Sequence, residues 1–195
     1  MKDVTFTKLE RFELKYHMNI DQLDVLTEFL HPWCGLDSHS ERSPDGFYWV
    51  TSLYLDSPQL TFFRWKESKI ENRFNMRIRT YGQFPDPNGP RFFEVKQKKG
   101  DVVTKTRGTL KSGNARALWD SSAEVCAQAA PKDRRNLEKF LRLAMSYQAE
   151  PHLLTQYRRK AWFGLYEDYA RVTVDVGMRW REELGFDFSV DPAQM

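Results

Sequence analysis

The feature that most constrains the fold is a repeated alternation of charged and apolar residues. In RFNMRIRTY, residues 73–81, the basic residues Arg73, Arg77 and Arg79 occupy odd-numbered positions. Apolar side chains occupy the even-numbered positions 74, 76 and 78. Because successive side chains of a β-strand point to opposite faces, this pattern predicts a strand with one basic and one apolar face. Six further segments are predicted to be strands on similar grounds: residues 9–18, 47–56, 91–98, 102–110, 151–162 and 170–178.

Helical periodicity is confined to fewer segments. Residues 20–31 and 132–147 repeat apolar side chains at helical spacing. Residues 56–68 are predicted to form a helix that is capped by Ser57 and has Pro58 in its first turn. The stretch before residue 132 is also expected to be helical, so helices interrupt the strands at about 113–148.

The charged faces of these strands admit two interpretations. For any single strand, a solvated polar face laced with salt bridges is the simpler one. Seven such strands predict instead an α+β fold, in which an antiparallel sheet curls into a tunnel or barrel under flanking helices. The charged face would then line the lumen, where crowded cations require a bound anion or water. We expect one domain over residues 1–195, with the helical insertion at about 113–148.

Charge is unevenly distributed along the chain. The formal net charge is +3, yet the stretch from Arg64 to Lys111 holds thirteen Lys/Arg against five Asp/Glu. Such a basic region suggests a polyanionic ligand, which leaves nucleic acid, polyphosphate, a nucleotide or a lipid surface as candidates. Cys34 and Cys126 match no metal-binding spacing. No apolar run is long enough to span a membrane or to act as a signal core, so we expect a cytoplasmic protein.

Seven short motifs occur in order along the chain: RFELKY, SLYLD, RIRTY, FFEVK, KTR, YRRKA and RVTVD. Together they resemble the VTC domain, the polyphosphate-polymerase branch of the triphosphate tunnel enzymes in the CYTH-like superfamily. The resemblance covers roughly residues 8–178. It implies a basic antiparallel β tunnel that transfers the γ-phosphate of ATP to a growing polyphosphate chain and releases ADP. It also implies a divalent metal, Mn²⁺ or Mg²⁺.

The resemblance also implies which residues form the site. Six basic residues are implied to contact the reacting phosphates: Lys15, Arg77, Arg79, Lys96, Arg159 and Arg171. Four further residues are implied to help bind the nucleotide or polyphosphate: Lys66, Lys105, Arg107 and Tyr157. These residue types suit the chemistry, because phosphoryl transfer depends on positioning and charge neutralisation and because arginine binds phosphate oxygens in pairs.

Carboxylates among the bases leave two interpretations open. Glu13 and Glu94 are candidate ligands for a hard cation that bridges phosphate oxygens. Each could equally pair with a neighbouring arginine or lysine, and the pattern does not decide between the two. Asp56 and Asp175 are more simply explained as residues that orient the bases.

The chain departs from the family pattern after Val176. Family members usually continue into a strand that carries a metal-binding glutamate in an E-x-K pattern, followed by a basic C-terminal helix. Here the sequence is GMRWREELGFDFSVDPAQM, in which Glu182 and Glu183 do not fit that pattern. A tunnel without this strand would have a gap. A module that binds polyphosphate without catalysis, or one that binds a protein partner, therefore remains an alternative.

Two other functions are less favoured. Triphosphatases of the same fold typically begin with E-x-E-x-K, whereas here Glu10 is out of phase with Glu13 and Lys15. Nucleic-acid-binding sheets present aromatic side chains on their exposed face. In this sequence Phe74 and Phe93 share the face opposite the key bases, which points to packing and away from nucleic acid.

Overall fold

Seven strands form a single antiparallel sheet in the computed structural model, which describes residues 13–100, 102–111, 115–167, 170–191, 193 and 195. The strands are β1 (Cys34–Leu36), β2 (Tyr48–Asp56), β3 (Asn72–Tyr81), β4 (Arg91–Lys99), β5 (Val102–Leu110), β6 (Glu150–Gly164) and β7 (Arg171–Glu182). Each of the last six overlaps a segment whose alternation predicts a strand.

The sheet has the order β7–β6–β2–β3–β4–β5. The short β1 pairs with the last three residues of β6, next to the stretch of β6 that pairs with β2. Apart from the short β1, the described strands with a single neighbour are β5 and β7, which lie at the two ends of this order. The fold is α+β, and the sheet curls into a half-barrel flanked by helices. This confirms the expected class of fold, with the tunnel open between its two edges in the described part of the chain.

Six α-helices follow one another along the described chain, and the last four add buried side chains to the apolar face of the sheet. After a 3-10 turn at Ile20–Gln22 come α1 (Leu23–Leu30), α2 (Ser38–Glu41), α3 (Thr61–Glu67), α4 (Ala117–Asp120), α5 (Ser122–Gln128) and α6 (Pro131–Tyr147). The last three lie between β5 and β6, the interval in which the sequence predicts helices. None of the described helices is long and apolar enough to cross a membrane.

The alternation in β3 and β4 sorts their side chains as predicted. Met76 and Ile78 of β3, with Phe93 and Val95 of β4, are buried in one hydrophobic cluster. α6 adds Leu137, among others, to this cluster. Since successive strand residues face opposite ways, the charged residues between them are collected on the other side of the sheet.

One predicted strand is wrong in its described half. Residues 13–18 form irregular chain, and residues 9–12 lie outside the described part. Leu14 and Tyr16 are 75% and 82% exposed, so the described residues leave the apolar side of the alternation uncovered. Without burial, alternation alone does not hold a segment in a sheet.

The helix expected at residues 56–68 begins later, at Thr61. The carboxylate of Asp56 accepts hydrogen bonds from the backbone N–H groups of Phe62 and Phe63 at 2.8 and 2.9 Å. Asp56 thus supplies the main cap, and the hydroxyl of Ser57 accepts only the N–H of Thr61 at 3.0 Å. Leu60 turns the chain into the helix with φ of 55°.

Candidate functional site

The centre of the charged side of the sheet is a buried carboxylate held by three cations. Glu94 on β4 is 1% exposed. Its Oε2 accepts from Arg77 Nε on β3 at 2.8 Å, and its Oε1 accepts from Arg107 Nε on β5 at 2.8 Å. Lys105 Nζ lies 2.7 Å from the same Oε1. Strand register explains the convergence, because Glu94 lies directly between Arg77 and Arg107 in the sheet.

Burial and the neighbouring charges shift the pKa values of Glu94 and Lys105. Burial alone would raise the pKa of Glu94, but Arg77, Arg79 and Lys105 hold it far below its ordinary value. Burial lowers the pKa of Lys105 to about 8, and the attraction of Glu94 offsets only part of that effect. Glu94 is therefore ionised at neutral pH, and Lys105 loses its proton at a lower pH than an ordinary lysine does.

Arg79 differs from its neighbours because it forms no ion pair with the carboxylates in the described part of the chain. It lies on the same face of β3 as Arg77 and is 5% exposed. Its Nε donates to the hydroxyl of Ser52 at 3.4 Å, and it forms no ion pair with any carboxylate that the structure describes. A nearly buried guanidinium with one weak neutral partner is costly unless an anion joins it.

The segment before the first helix passes beside this cluster. Glu13 pairs with Lys96 on β4, and Lys15 Nζ lies 3.7 Å from Glu13 Oε1. Burial would raise the pKa of Glu13, yet the hydrogen bond from Lys96 brings it below its ordinary value. Lys15 itself is 81% exposed. The structure therefore brings Lys15 near the bases as part of irregular chain, and not from a first strand.

A second group of charged residues lies where β6 meets β7. Arg159 donates from Nε and NH2 to the two oxygens of Asp175 at 2.6 and 2.7 Å. Its guanidinium also lies 5.3 Å from the ring centre of Tyr157, a buried side chain whose pKa is raised by that burial. Arg171 lies 3.5 Å from the carboxylate of Asp37. Asp175 therefore orients a base, as its sequence position suggests.

Lys66 is the predicted residue that lies apart from the others. It is an exposed residue of α3. That helix packs on the apolar side of the sheet, where Phe62 contacts Phe74 with a ring separation of 4.6 Å. The remaining predicted bases are on the charged side of the sheet or beside it. We call that side the basic face and define it by Arg77, Arg79, Glu94, Lys96, Lys105, Arg107 and Arg159.

Sequence reasoning missed a group of rings at one end of the basic face. The ring of His39 in α2 stacks on Tyr81 of β3, with centroids 5.3 Å apart and an angle of 17°. Tyr48 completes the group at 5.1 Å from His39. Tyr81 also accepts a hydrogen bond from Arg107 NH2 at 3.3 Å. Tyr48 and Tyr81 could have been found, because the alternation of β2 and β3 places them on the charged side.

The two carboxylates predicted to hold a metal do not fit that role in this arrangement. Both oxygens of Glu94 already accept from cationic side chains, and Glu13 is engaged by Lys96. A divalent ion at Glu94 would also lie against three positive groups. Among the residues described, no group of three or more His, Cys, Asp or Glu side chains could hold a metal ion. The donor set therefore favours the ion-pairing interpretation of both glutamates.

The fold and the basic face together define a class of protein: a curled antiparallel sheet that holds excess positive charge for a multiply charged anion. The chain belongs to the VTC domain family, whose sequence model matches residues 10–194. Family membership confirms the resemblance drawn from the seven motifs. Membership of this family supports a function related to polyphosphate or nucleotide binding and suggests a catalytic domain.

One solved structure with a similar chain path is that of a proposed adenylate cyclase from Bacillus halodurans. The similarity covers 81% of this chain and 67% of that one, with 13% sequence identity and a TM-score of 0.47. A search of curated proteins found no match.

Proposed function

We propose that this chain is an ATP-dependent polyphosphate polymerase domain. The observation that carries the proposal is Arg79, a nearly buried cation that forms no ion pair with a described carboxylate and only adds to the cations around Glu94. Arg77, Lys105 and Arg107 surround the same region and share a single carboxylate, Glu94. An elongated chain of phosphates supplies the negative charges that this arrangement lacks.

The reaction follows from how these bases are placed. A terminal oxygen of the polyphosphate chain attacks the γ-phosphorus of ATP, and the bond from that phosphorus to the bridging oxygen of ADP breaks. ADP leaves with the electron pair, so the polymer gains one phosphate. Arg77, Arg79 and Lys105 neutralise the non-bridging oxygens, and their fixed positions hold the two substrates in line.

In this proposal Glu94 orients the arginines that bind phosphate. Its charge holds Arg77 and Arg107 from opposite sides of β4, which limits the directions in which their remaining N–H groups can point. A guanidinium that is already oriented loses less freedom when it binds phosphate. The divalent cation implied by the family is not assigned to Glu13 or Glu94; bound together with the nucleotide, it would neutralise further phosphate charge.

The test is incubation of the protein with ATP and Mn²⁺, with measurement of ADP and of long-chain phosphate on a gel. We expect both products from the wild type and a loss of at least tenfold in rate for Arg77→Ala. Arg158→Ala is the matched control, since Arg158 pairs with Asp45 and lies over the Phe47 ring on the other side of the sheet. ADP without polymer, or equal losses in both variants, would contradict the proposal.

A module that only binds polyphosphate is the second candidate, and one observation favours it. The two edge strands β5 and β7 have no further strand beside them in the described part of the chain, so the tunnel is open there. Salt-sensitive binding of polyphosphate without any turnover of ATP would favour this candidate. Release of free phosphate without polymer would instead favour a triphosphatase.

A further inference from the structure

The ring group at the end of the basic face offers a surface that phosphate binding does not use. His39 is exposed and is the outermost of three rings, with Tyr81 stacked behind it and Tyr48 beside it. We propose that the exposed side of His39 binds the nucleobase of a nucleoside triphosphate by stacking. This inference rests on the proposed function and adds a recognition site for the base.

Hydrogen bonds join the rings to the bases proposed to bind phosphate. Arg107 donates through Nε to Glu94 and through NH2 to the hydroxyl of Tyr81. Tyr81 and Arg77 are on the same face of β3, four residues apart, which is roughly 13 Å along a strand. A ligand with phosphates at one end and a flat ring at the other can therefore lie along the basic face and reach both groups.

Two of the rings are also held in place before any ligand arrives. The carboxylate of Asp37 accepts from the backbone N–H groups of His39 and Ser40 at 3.2 and 2.8 Å, which begins α2. The same carboxylate accepts from the Tyr48 hydroxyl at 3.3 Å. One buried residue thus fixes both the helix that carries His39 and the ring beside it, so little freedom is lost when a base stacks.

Stacking on these rings also suits the chemistry of a nucleobase. Every nucleobase has a flat π-face, and stacking on an aromatic side chain contributes to binding without requiring hydrogen bonds to the base edge. Arg159 is the cross-strand partner of Tyr48, and both Arg159 and Arg171 are paired with an aspartate, Asp175 and Asp37 respectively. Those aspartates reduce the attraction of this end for phosphate, which leaves the phosphates to the Glu94 cluster. A purine should bind better than a pyrimidine because it covers more of the ring.

The experiment compares ATP with inorganic tripolyphosphate, which has the phosphates without the base. Calorimetric titration is done on the wild type, His39→Ala, His39→Phe and the control His31→Ala, which changes an exposed histidine at the end of α1. We expect His39→Ala to weaken ATP binding about fivefold to tenfold and to leave tripolyphosphate binding unchanged. His39→Phe keeps a flat ring and should retain ATP affinity, and His31→Ala should match the wild type.

Each outcome decides the proposal. Equal weakening of both ligands by His39→Ala, or no weakening of either, would overturn the nucleobase site. Failure of His39→Phe to retain ATP affinity would also overturn it. A wild type that shows the His39-dependent preference but makes no polymer would overturn the polymerase function and leave the nucleobase site standing. A wild type that binds neither ligand would overturn both.

Discussion

The amine of Lys105 lies 2.7 Å from Oε1 of Glu94, in a cluster where that carboxylate also binds two arginines. The single negative charge of Glu94 is therefore paired with three positive side chains. Of the three cations, Lys105 loses its proton at the lowest pH, because burial brings its pKa to about 8. The pair makes the positive charge of the basic face sensitive to mildly alkaline pH.

We predict that the affinity for tripolyphosphate falls as the pH rises through about 8, where Lys105 loses its charge. The variant Lys105→Arg keeps its charge over this range, so its affinity should change less between pH 7 and pH 9. Calorimetric titrations at several pH values measure both curves. Parallel curves for the two proteins would show that Lys105 is not the group that titrates.

Replacement of Glu94 tests its role as an anchor. We expect Glu94→Gln to lower the free energy of unfolding at pH 7 by about 2–4 kcal/mol, because it leaves buried cations without their shared charge. The lower end of this range allows for Lys105 and Arg107, which can turn toward water. Urea denaturation measures the difference, and Glu138→Gln on the exposed side of α6 is the control, with a change near zero.

The pH dependence of this difference has a definite sign. The pKa of Glu94 in the folded protein lies below its ordinary value of 4.5, so its stabilising effect is present above that pH. Below pH 4.5 the unfolded chain binds a proton at Glu94 that the folded protein does not bind. The stabilising effect is therefore lost as the pH falls toward the pKa of the folded state. The stability gap between wild type and Glu94→Gln should therefore narrow below pH 4.5. A constant gap would contradict the ionised anchor.

Close packing of α6 on β5 makes a separate prediction. A Cβ atom added at Gly108 would lie 2.8 Å from Cγ and 2.9 Å from the backbone N of Leu137. Gly108→Ala should therefore lower the free energy of unfolding by about 1–3 kcal/mol through overpacking. The control is Gly35→Ala, whose new atom would meet only the end of the exposed Leu165 side chain at 3.2 Å. Similar thermal stability of both variants would count against the packing described.

Much of the sheet could be predicted because alternation in its strands reports burial directly. Met76 and Ile78 alternate with Arg77 and Arg79, and the structure buries the apolar pair against helices. The same signal failed at residues 13–18, where the described residues leave the apolar side uncovered. Alternation therefore predicts a strand correctly only where another element covers the apolar side chains.

The site was harder to predict because its properties arise between strands. Whether Glu94 binds a metal or anchors bases depends on its cross-strand neighbours, Arg77 and Arg107, and not on the motif FFEVK. The position of His39 depends on Asp37 and on a helix of four residues, which is too short to leave a periodic signal. Pairing across the sheet and short caps are invisible to a pattern read along one segment.

Binding of a phosphate chain at the basic face is tested by the affinity of Arg79→Ala for tripolyphosphate. Calorimetry at low and moderate salt should show binding at least tenfold weaker than the wild type, with a shallower dependence on salt. Arg158→Ala, on the other side of the sheet, should bind as the wild type does. Wild-type affinity in Arg79→Ala, or an equal loss in Arg158→Ala, would contradict the claim.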